Sequence, residues 1–405
     1  MRVVFVNRYF FPDHSATSQM LSDLAFALAA QGHEIHVVAS RLRYDNPASA
    51  LPKEESIRGV AVHRAWSSRF GRERLGGRLL DYLSFYPSVF FALLPLLRRG
   101  DVAVAKTDPP LLSLPVCLAA RLRGAVLVNW LQDMFPETAA ALGIRAAQGL
   151  PGRLLASLRD WTLDLAAMNV APGRRMAEDL RRRGGPGRPV TTITNWADGE
   201  AIRPLAAADN ALRTEWGLQG QFVAAYSGNL GRAHEFDTLL AAAEILRGHA
   251  DIVFLFIGGG HGYGLAQREA ARRGLDNVLF KPYQPRERLG LSLTLPDTHL
   301  LSLLPGLEGL VLPSKFYGAL AAGRPVAFVG ASDGELSKEI ARHACGAAIE
   351  PGAAQALADF LLRLCREPAV REQMGRNARA AFEREFGKTH AVAQWRALFD
   401  GLRRS

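Results

Sequence analysis

Short apolar runs alternate with helix-spaced apolar positions along almost the whole chain. In the first half the runs 3–6, 35–39, 60–64, 102–105, 125–129, 169–171 and 190–194 predict strands, with helices over 18–30, 112–122, 154–166 and 174–183 between them. The pattern restarts with strands predicted at 222–226, 252–257, 278–280, 298–303, 326–329 and 347–349. Strands that read as continuous apolar runs suit parallel sheets covered by helices on both faces. The polar, helix-poor stretch 195–209 reads as a linker, so the chain is α/β with two domains of similar size, closed by an amphipathic helix over 390–402.

One segment departs from this rhythm. Residues 79–97, LLDYLSFYPSVFFALLPLL, are long and apolar enough to suggest a membrane span, but they contain Asp81, Ser84, Ser88, Pro87 and Pro95. Tyr82, Phe85, Tyr86, Val89, Phe90, Leu93, Leu94 and Leu97 recur at helical spacing, and Arg72, Arg74, Arg78, Arg98 and Arg99 flank them. Three readings stand: a buried helix, a helix docked on an anionic bilayer surface, and a spanning helix.

Composition narrows the class. With 405 residues, 48% hydrophobic and 22% charged, the chain can fill two sizeable cores, and wholesale disorder is excluded. Cys117, Cys345 and Cys365 stand alone, without metal-ligand or redox spacing, and read as buried thiols of a reducing compartment. The net charge of +10 is carried almost wholly by arginine. Those arginines are dispersed and not interleaved with aromatics, which argues against nucleic acid as a partner. There is no G-x-G-x-x-G, no P-loop and no D-x-D, so nicotinamide, P-loop and metal–diphosphate chemistry all lack their fingerprints.

The chemistry concentrates in 298–329. A buried strand runs into a loop holding Glu308, and Pro313-Ser-Lys315 opens a helix that ends at Gly323-Arg-Pro325. A carboxylate, a lysine and a helix start beyond a parallel strand can hold an anion and a hydroxylated group together. Upstream, Ser227-Gly-Asn-Leu-Gly231 ends a strand in a tight turn whose N–H groups can cradle phosphate oxygens, with Arg232 beside it. Phe11–Gln19 follows the first strand with small and hydroxyl side chains before a helix. Lys106-Thr-Asp-Pro-Pro110 and Asn129–Glu137 sit at strand ends, making Asp108, Asp133 and Glu137 site candidates.

These segments resemble a GT-B glycosyltransferase of family 4 type. SGNLG at 227–231 and PSK at 313–315 are similar to the branch acting on bacterial O-antigen, colanic acid and capsule, including N-acetylfucosaminyl- and fucosyltransferases. The resemblance implies two Rossmann-like domains facing each other across a cleft: 1–196 binding acceptor, 197–388 binding nucleotide sugar, and 389–405 a helix returning to the first. It implies catalytic roles for Asp133, Arg232, Glu308 and Lys315. Substrate contacts would come from Ser15, Ala16, Thr17, Gly228, Asn229, Gly231, His234, Gly259, Tyr283, Leu310 and Ser314.

The implied reaction is a retaining, metal-independent transfer needing no cofactor. It runs from a nucleoside diphosphate sugar, such as UDP-N-acetylfucosamine, to a lipid-linked saccharide on the inner face of the bacterial plasma membrane, with 79–97 docking there. Two departures stand out. Gln132 replaces the family's histidine before Asp133, and Gly318 stands where a second, ribose-binding glutamate is expected. They leave a 2-epimerase of the same architecture and a noncatalytic scaffold as alternatives.

Overall fold

A computed structural model describes residues 1–13, 15–43, 50–71, 75–185 and 187–404. Arg72 and Arg74, named above as basic flanks, lie outside the described residues. Residues Met1–Thr194 with Ala391–Ser405 form one compact unit, and Asn195–His390 form a second.

The sheet of the first unit contains β1 (Arg2–Val6), β2 (Glu34–Ser40), β3 (Glu54–Ile57), β4 (Val60–Ala65), β5 (Val102–Lys106), β6 (Val126–Trp130), β7 (Met168–Ala171) and β8 (Val190–Thr192). Their order is β3-β4-β2-β1-β5-β6-β7-β8. All neighbours are parallel except β3, which runs antiparallel to β4. The apolar pattern does not reveal β3 because Glu-Glu-Ser-Ile at a sheet edge has no buried face, and charge on an edge strand discourages pairing with other chains.

From β1 the chain winds outward through β2 and then returns to place β5 on β1's other side. The β1/β5 boundary is therefore a topological switch point, where the loops beyond the carboxyl ends diverge and leave a crevice.

Helix α1 (Ala16–Ala30) follows β1, α2 (Leu75–Leu96) follows β4, and α3 (Ser113–Arg123) follows β5. Helix α2 has two distinct faces. It is long and apolar enough to cross a membrane, but Phe85, Val89, Leu93 and Leu97, one turn apart, are fully buried against Val4, Val6, Ala103 and Ala105. The opposite face exposes Leu79, Leu80, Leu83 and Phe91. Asp81 is buried and accepts hydrogen bonds from the Ser68 hydroxyl (2.7 Å) and the Phe70 and Gly71 amides (2.9 and 3.1 Å). It pins the preceding loop, which explains a carboxylate inside an apolar run. From the carboxyl-terminal helix Lys388–Arg404, Trp395 packs on Trp130 with ring centroids 4.7 Å apart, and Phe399 on Phe5 at 6.3 Å.

In the second unit β9 (Phe222–Asn229), β10 (Ile252–Gly259), β11 (Val278–Pro282), β12 (Thr298–Ser302), β13 (Val326–Val329) and β14 (Gly346–Ile349) form a parallel sheet, ordered β11-β10-β9-β12-β13-β14. Its switch point lies between β9 and β12. Buried Asp297, just before β12, receives the Arg213 guanidinium at 2.5 Å and the Val223 amide at 2.9 Å, tying the two strands at their entry ends.

Candidate functional site

The carboxyl ends of β9 and β12 hold the most organised polar cluster of the second unit. Lys315, the first residue of helix Lys315–Ala321, reaches back across β9 instead of extending into solvent. Its Nζ donates to the Asn229 carbonyl (2.9 Å), lies 3.2 Å from His234 Nε2, and sits 5.0 Å from the centre of the Tyr226 ring. His234 Nδ1 is 2.6 Å from the Ser302 carbonyl at the end of β12. Since that carbonyl can only accept, Nδ1 carries the proton and Nε2 is left to accept from Lys315. Burial, then the neighbouring Lys315 charge, push the imidazole down to about 3, so it is neutral at physiological pH. Burial also brings the Lys315 amine down to about 7.

Glycine makes this approach possible. Gly228 has φ 119°, and a Cβ there would come within 2.9 Å of Lys315 Cε. Gly258, at φ 140°, lies so near the Gly228 carbonyl that a side chain would overlap it. The turn after β9 is tied on both sides: Leu230 N–H donates to the Gly259 carbonyl (2.8 Å) and Leu304 N–H to the Ala233 carbonyl (2.9 Å). Beside it Arg232 is exposed and makes no hydrogen bond or ion pair among the described residues. Tyr283 is 57% exposed, with its ring edge where a Cβ on Gly259 would meet it at 3.0 Å.

Several sequence-predicted residues are placed differently from expectation. His234 has both ring nitrogens engaged, Nδ1 by the Ser302 carbonyl and Nε2 by Lys315. The Glu308 carboxylate accepts from the Glu335 amide (3.3 Å), the first residue of helix Glu335–His343, and so caps that helix from a distant loop. Ser314 makes no side-chain capping bond. Leu310 holds its turn through a 3.0 Å backbone bond to Leu307. At position 318 a Cβ would lie 3.3 Å from Leu293 Cδ1, so the place expected for a ribose carboxylate faces packing. Gly231 and Asn229 adjoin each other in the turn, with a Cβ at 231 reaching Asn229 Nδ2 at 3.2 Å.

The first unit gathers a second cluster at its own switch point. Asn7 and Arg8 follow β1, Lys106 ends β5 and leads into Thr107 and Asp108, and Gln132 and Asp133 follow β6. Asp133 is held near pH 6, raised chiefly by burial and by Asp108, with a hydrogen bond from the Thr107 hydroxyl acting the other way. A small cavity at this edge is lined by Lys106, Thr107, Asn129, Asp133 and Arg159.

Ser15 caps α1, its Oγ accepting the Ser18 amide at 3.3 Å, while Ala16 is exposed and Thr17 sits 3.3 Å from the same Oγ. Glu137 is clamped between Arg159 and Arg183; burial is the largest single influence and would raise its carboxyl, but the Arg159 hydrogen bond, the charges of Arg159 and Arg183 and a backbone hydrogen bond together lower it. Asp81, Arg8 and Lys106 carry no sequence motif. The available signal for the last two was a cation directly at the end of an apolar strand.

Among the described residues one cluster has metal-ligand geometry, Glu339, His343 and Glu385. Arg342 already bridges its two carboxylates, at 2.5 Å to Glu385.

Comparison with known proteins follows the same division. Residues 16–196 match the glycosyl transferase 4-like domain, and residues 209–381 match glycosyl transferases group 1. WcaI of Escherichia coli (strain K12), a glycosyl transferase assigned to colanic acid biosynthesis, is 28% identical over 338 residues, which are 80% of this chain and 82% of that one. The sucrose-phosphate synthase of Thermosynechococcus elongatus superposes with a TM-score of 0.80 at 17% identity, covering 99% of both chains. Anabaena HepE, solved with UDP and glucose, superposes with a TM-score of 0.73 at 16% identity, covering 99% of this chain and 100% of that one.

Proposed function

We propose a donor, an acceptor and a location for this chain, which is a GT-B glycosyltransferase made of a glycosyl transferase 4-like domain and a group 1 domain. The second unit takes a nucleoside diphosphate sugar, and the observation that carries this reading is Lys315. Its amine stands at the β9/β12 switch point, beside exposed Arg232 and the glycine turn at 228–231. When the diphosphate arrives, the Lys315 ammonium leaves the weak partners Asn229 O and His234 Nε2 for phosphate oxygens. Arg232 adds a second fixed cation. Together they stabilise the charge that develops on the leaving diphosphate, without a metal. UDP bound to HepE supports the nucleotide class, and the resemblance supports an N-acetylated deoxy sugar as its cargo.

Transfer retains anomeric configuration, with the leaving diphosphate taking the acceptor's proton on the same face of the sugar. The acceptor is the hydroxyl of a lipid-linked surface-polysaccharide intermediate bound by the first unit, as the assignment of WcaI to colanic acid biosynthesis supports. Glu308 acts here through structure: by holding helix Glu335–His343 it shapes the loop over the donor sugar.

The first unit works at the inner membrane surface. Leu79, Leu80, Leu83 and Phe91 on α2 are exposed, and neighbouring α3 and helix Gly149–Leu165 add Leu118, Leu122, Leu150 and Leu154. Exposed Arg69, Arg78, Arg98, Arg99 and Arg153 lie on or beside those helices and suit anionic headgroups.

The test is a panel of UDP- and GDP-sugars, each incubated with the chain in EDTA, scoring thermal midpoint and release of free nucleotide. One sugar nucleotide should raise the midpoint by several degrees and be consumed only with a saccharide acceptor. A donor epimerised without acceptor, or no response to any nucleotide, would overturn the reading.

A further inference from the structure

The small cavity at the carboxyl ends of β5 and β6 is lined by oxygens whose neighbouring protons are spent elsewhere. Its volume of about 20 Å³ takes a group the size of one water molecule, so the atoms around it share a single occupant. Asn129, Asp133 and Ser113 all line it.

Each of the three turns an acceptor to the cavity for a reason that can be traced. Asn129 is 3% exposed and locked in one orientation by a second amide. Asn169 Nδ2 donates to the Leu163 and Pro189 carbonyls (2.9 and 3.0 Å), which leaves Asn169 Oδ1 to accept from Asn129 Nδ2 at 2.9 Å. Asn129 Nδ2 also donates to the Thr162 carbonyl at 3.2 Å. The nitrogen is thereby fixed, and Asn129 Oδ1, the other end of the amide, makes no hydrogen bond among the described residues. The Ser113 hydroxyl lies 2.9 Å from Thr162 Oγ1, whose own proton goes to the Arg159 carbonyl at 2.8 Å. Ser113 is therefore the donor of that pair and keeps only lone pairs to offer. Asp133 takes the Thr107 hydroxyl on one oxygen, and its Oδ1 has no partner among the described residues.

Neither neighbouring cation answers these oxygens. Arg159 spends its guanidinium on the Phe135 carbonyl, Glu137 and Asp160. Lys106 pairs in register with Trp130, one residue beyond the Ala105–Asn129 pair, so its side chain leaves the sheet on the opposite face from Asn129. Its Nζ rests there, 3.2 Å from the centre of the Trp130 ring. A water molecule can donate to two of the three oxygens at most, whereas a hard cation serves all three. A single carboxylate among the ligands, with the Arg159 guanidinium alongside, suits one positive charge and not a divalent ion.

We propose that Asn129 Oδ1, Asp133 Oδ1 and Ser113 Oγ bind a monovalent alkali cation, sodium or potassium, in the first unit. The ion neutralises a buried carboxylate that has no counter-charge of its own. It also ties the loop after β6, which carries Asp133, to Ser113 at the start of α3. It takes no part in donor binding, so the proposal does not depend on the assignment of the Lys315 cluster.

The test is the thermal midpoint of the full chain in choline chloride at pH 7.5, with choline replaced stepwise by sodium, potassium or caesium at constant ionic strength. Sodium or potassium should raise the midpoint saturably by at least about 3 °C, and the larger rise identifies the occupant. Caesium, too wide for the cavity, should give less than half of that rise. Asp133→Asn and Ser113→Ala should each reduce the rise at least twofold. Asp133→Asn should melt no lower than the wild type in choline alone, so its loss of response is not a loss of folding, and Ser113→Ala removes a ligand without changing charge. The proposal falls if neither sodium nor potassium gives a rise beyond choline, or if caesium matches them. It also falls if either variant retains the whole rise.

Discussion

At the scale of single residues the account turns on a lysine held in reserve. Lys315→Ala should lower turnover at least about a hundredfold, since it removes a cation felt mainly by the transition state, while the thermal midpoint hardly moves. A collapse of folding would make the lysine structural instead. Burial brings its amine down from the ordinary value of 10.5 to about 7, and a diphosphate bound beside it would raise it again. Binding therefore requires the ammonium: UDP affinity should be flat below pH 7 and fall as pH rises from 7 towards 9, and in Lys315→Met that slope should disappear in calorimetric titrations.

Asp133 runs the opposite way. Its carboxyl is raised from 3.8 to about 6 by burial, so the folded state holds a proton that the unfolded chain releases between those values. Stability attributable to it is present below pH 4 and lost as pH rises to 6. Asp133→Asn should accordingly gain roughly 1–3 kcal/mol over wild type at pH 7.5 and nothing at pH 3.5, by denaturant melts. The sequence motif around 227–231 and 313–315 made the cluster around Lys315 legible because glycines and a lysine at strand ends leave a local signature. The roles of His234 and Glu308 were not legible. One depends on a contact to Lys315, 81 residues away, and the other on an amide 27 residues on.

At the scale of elements, most strands showed in the sequence because parallel strands buried on both faces are apolar along their length, as in β10 and β13. The edge strand β3 stayed hidden for the converse reason. Helix α2 was ambiguous because periodicity reveals that a helix has an apolar side but not how many sides are covered. The structure separates its two faces, and variants can do the same. Phe85→Ala, in the core, should cost about 3–5 kcal/mol of stability. Leu83→Glu with Phe91→Glu should leave stability unchanged and lower binding to phosphatidylglycerol vesicles at least tenfold in co-sedimentation, because exposed sites lose no packing.

At the scale of the whole molecule, two sheets of related winding each place a polar cluster at a switch point, one around Lys315 and one around Lys106 and Asp133. The carboxyl-terminal helix belongs to the first unit through Trp395 and Phe399. Trp395→Ala should thus lower the melting of that unit while the stabilisation of the second by UDP persists, giving two separable transitions in calorimetry.

The most direct test of the central claim is isothermal titration of UDP into the purified chain in EDTA, alongside Lys315→Ala. Saturable one-to-one binding without metal, weakened at least tenfold in the variant, is the predicted result. Equal binding by both proteins, or binding that appears only with a divalent metal, would contradict it.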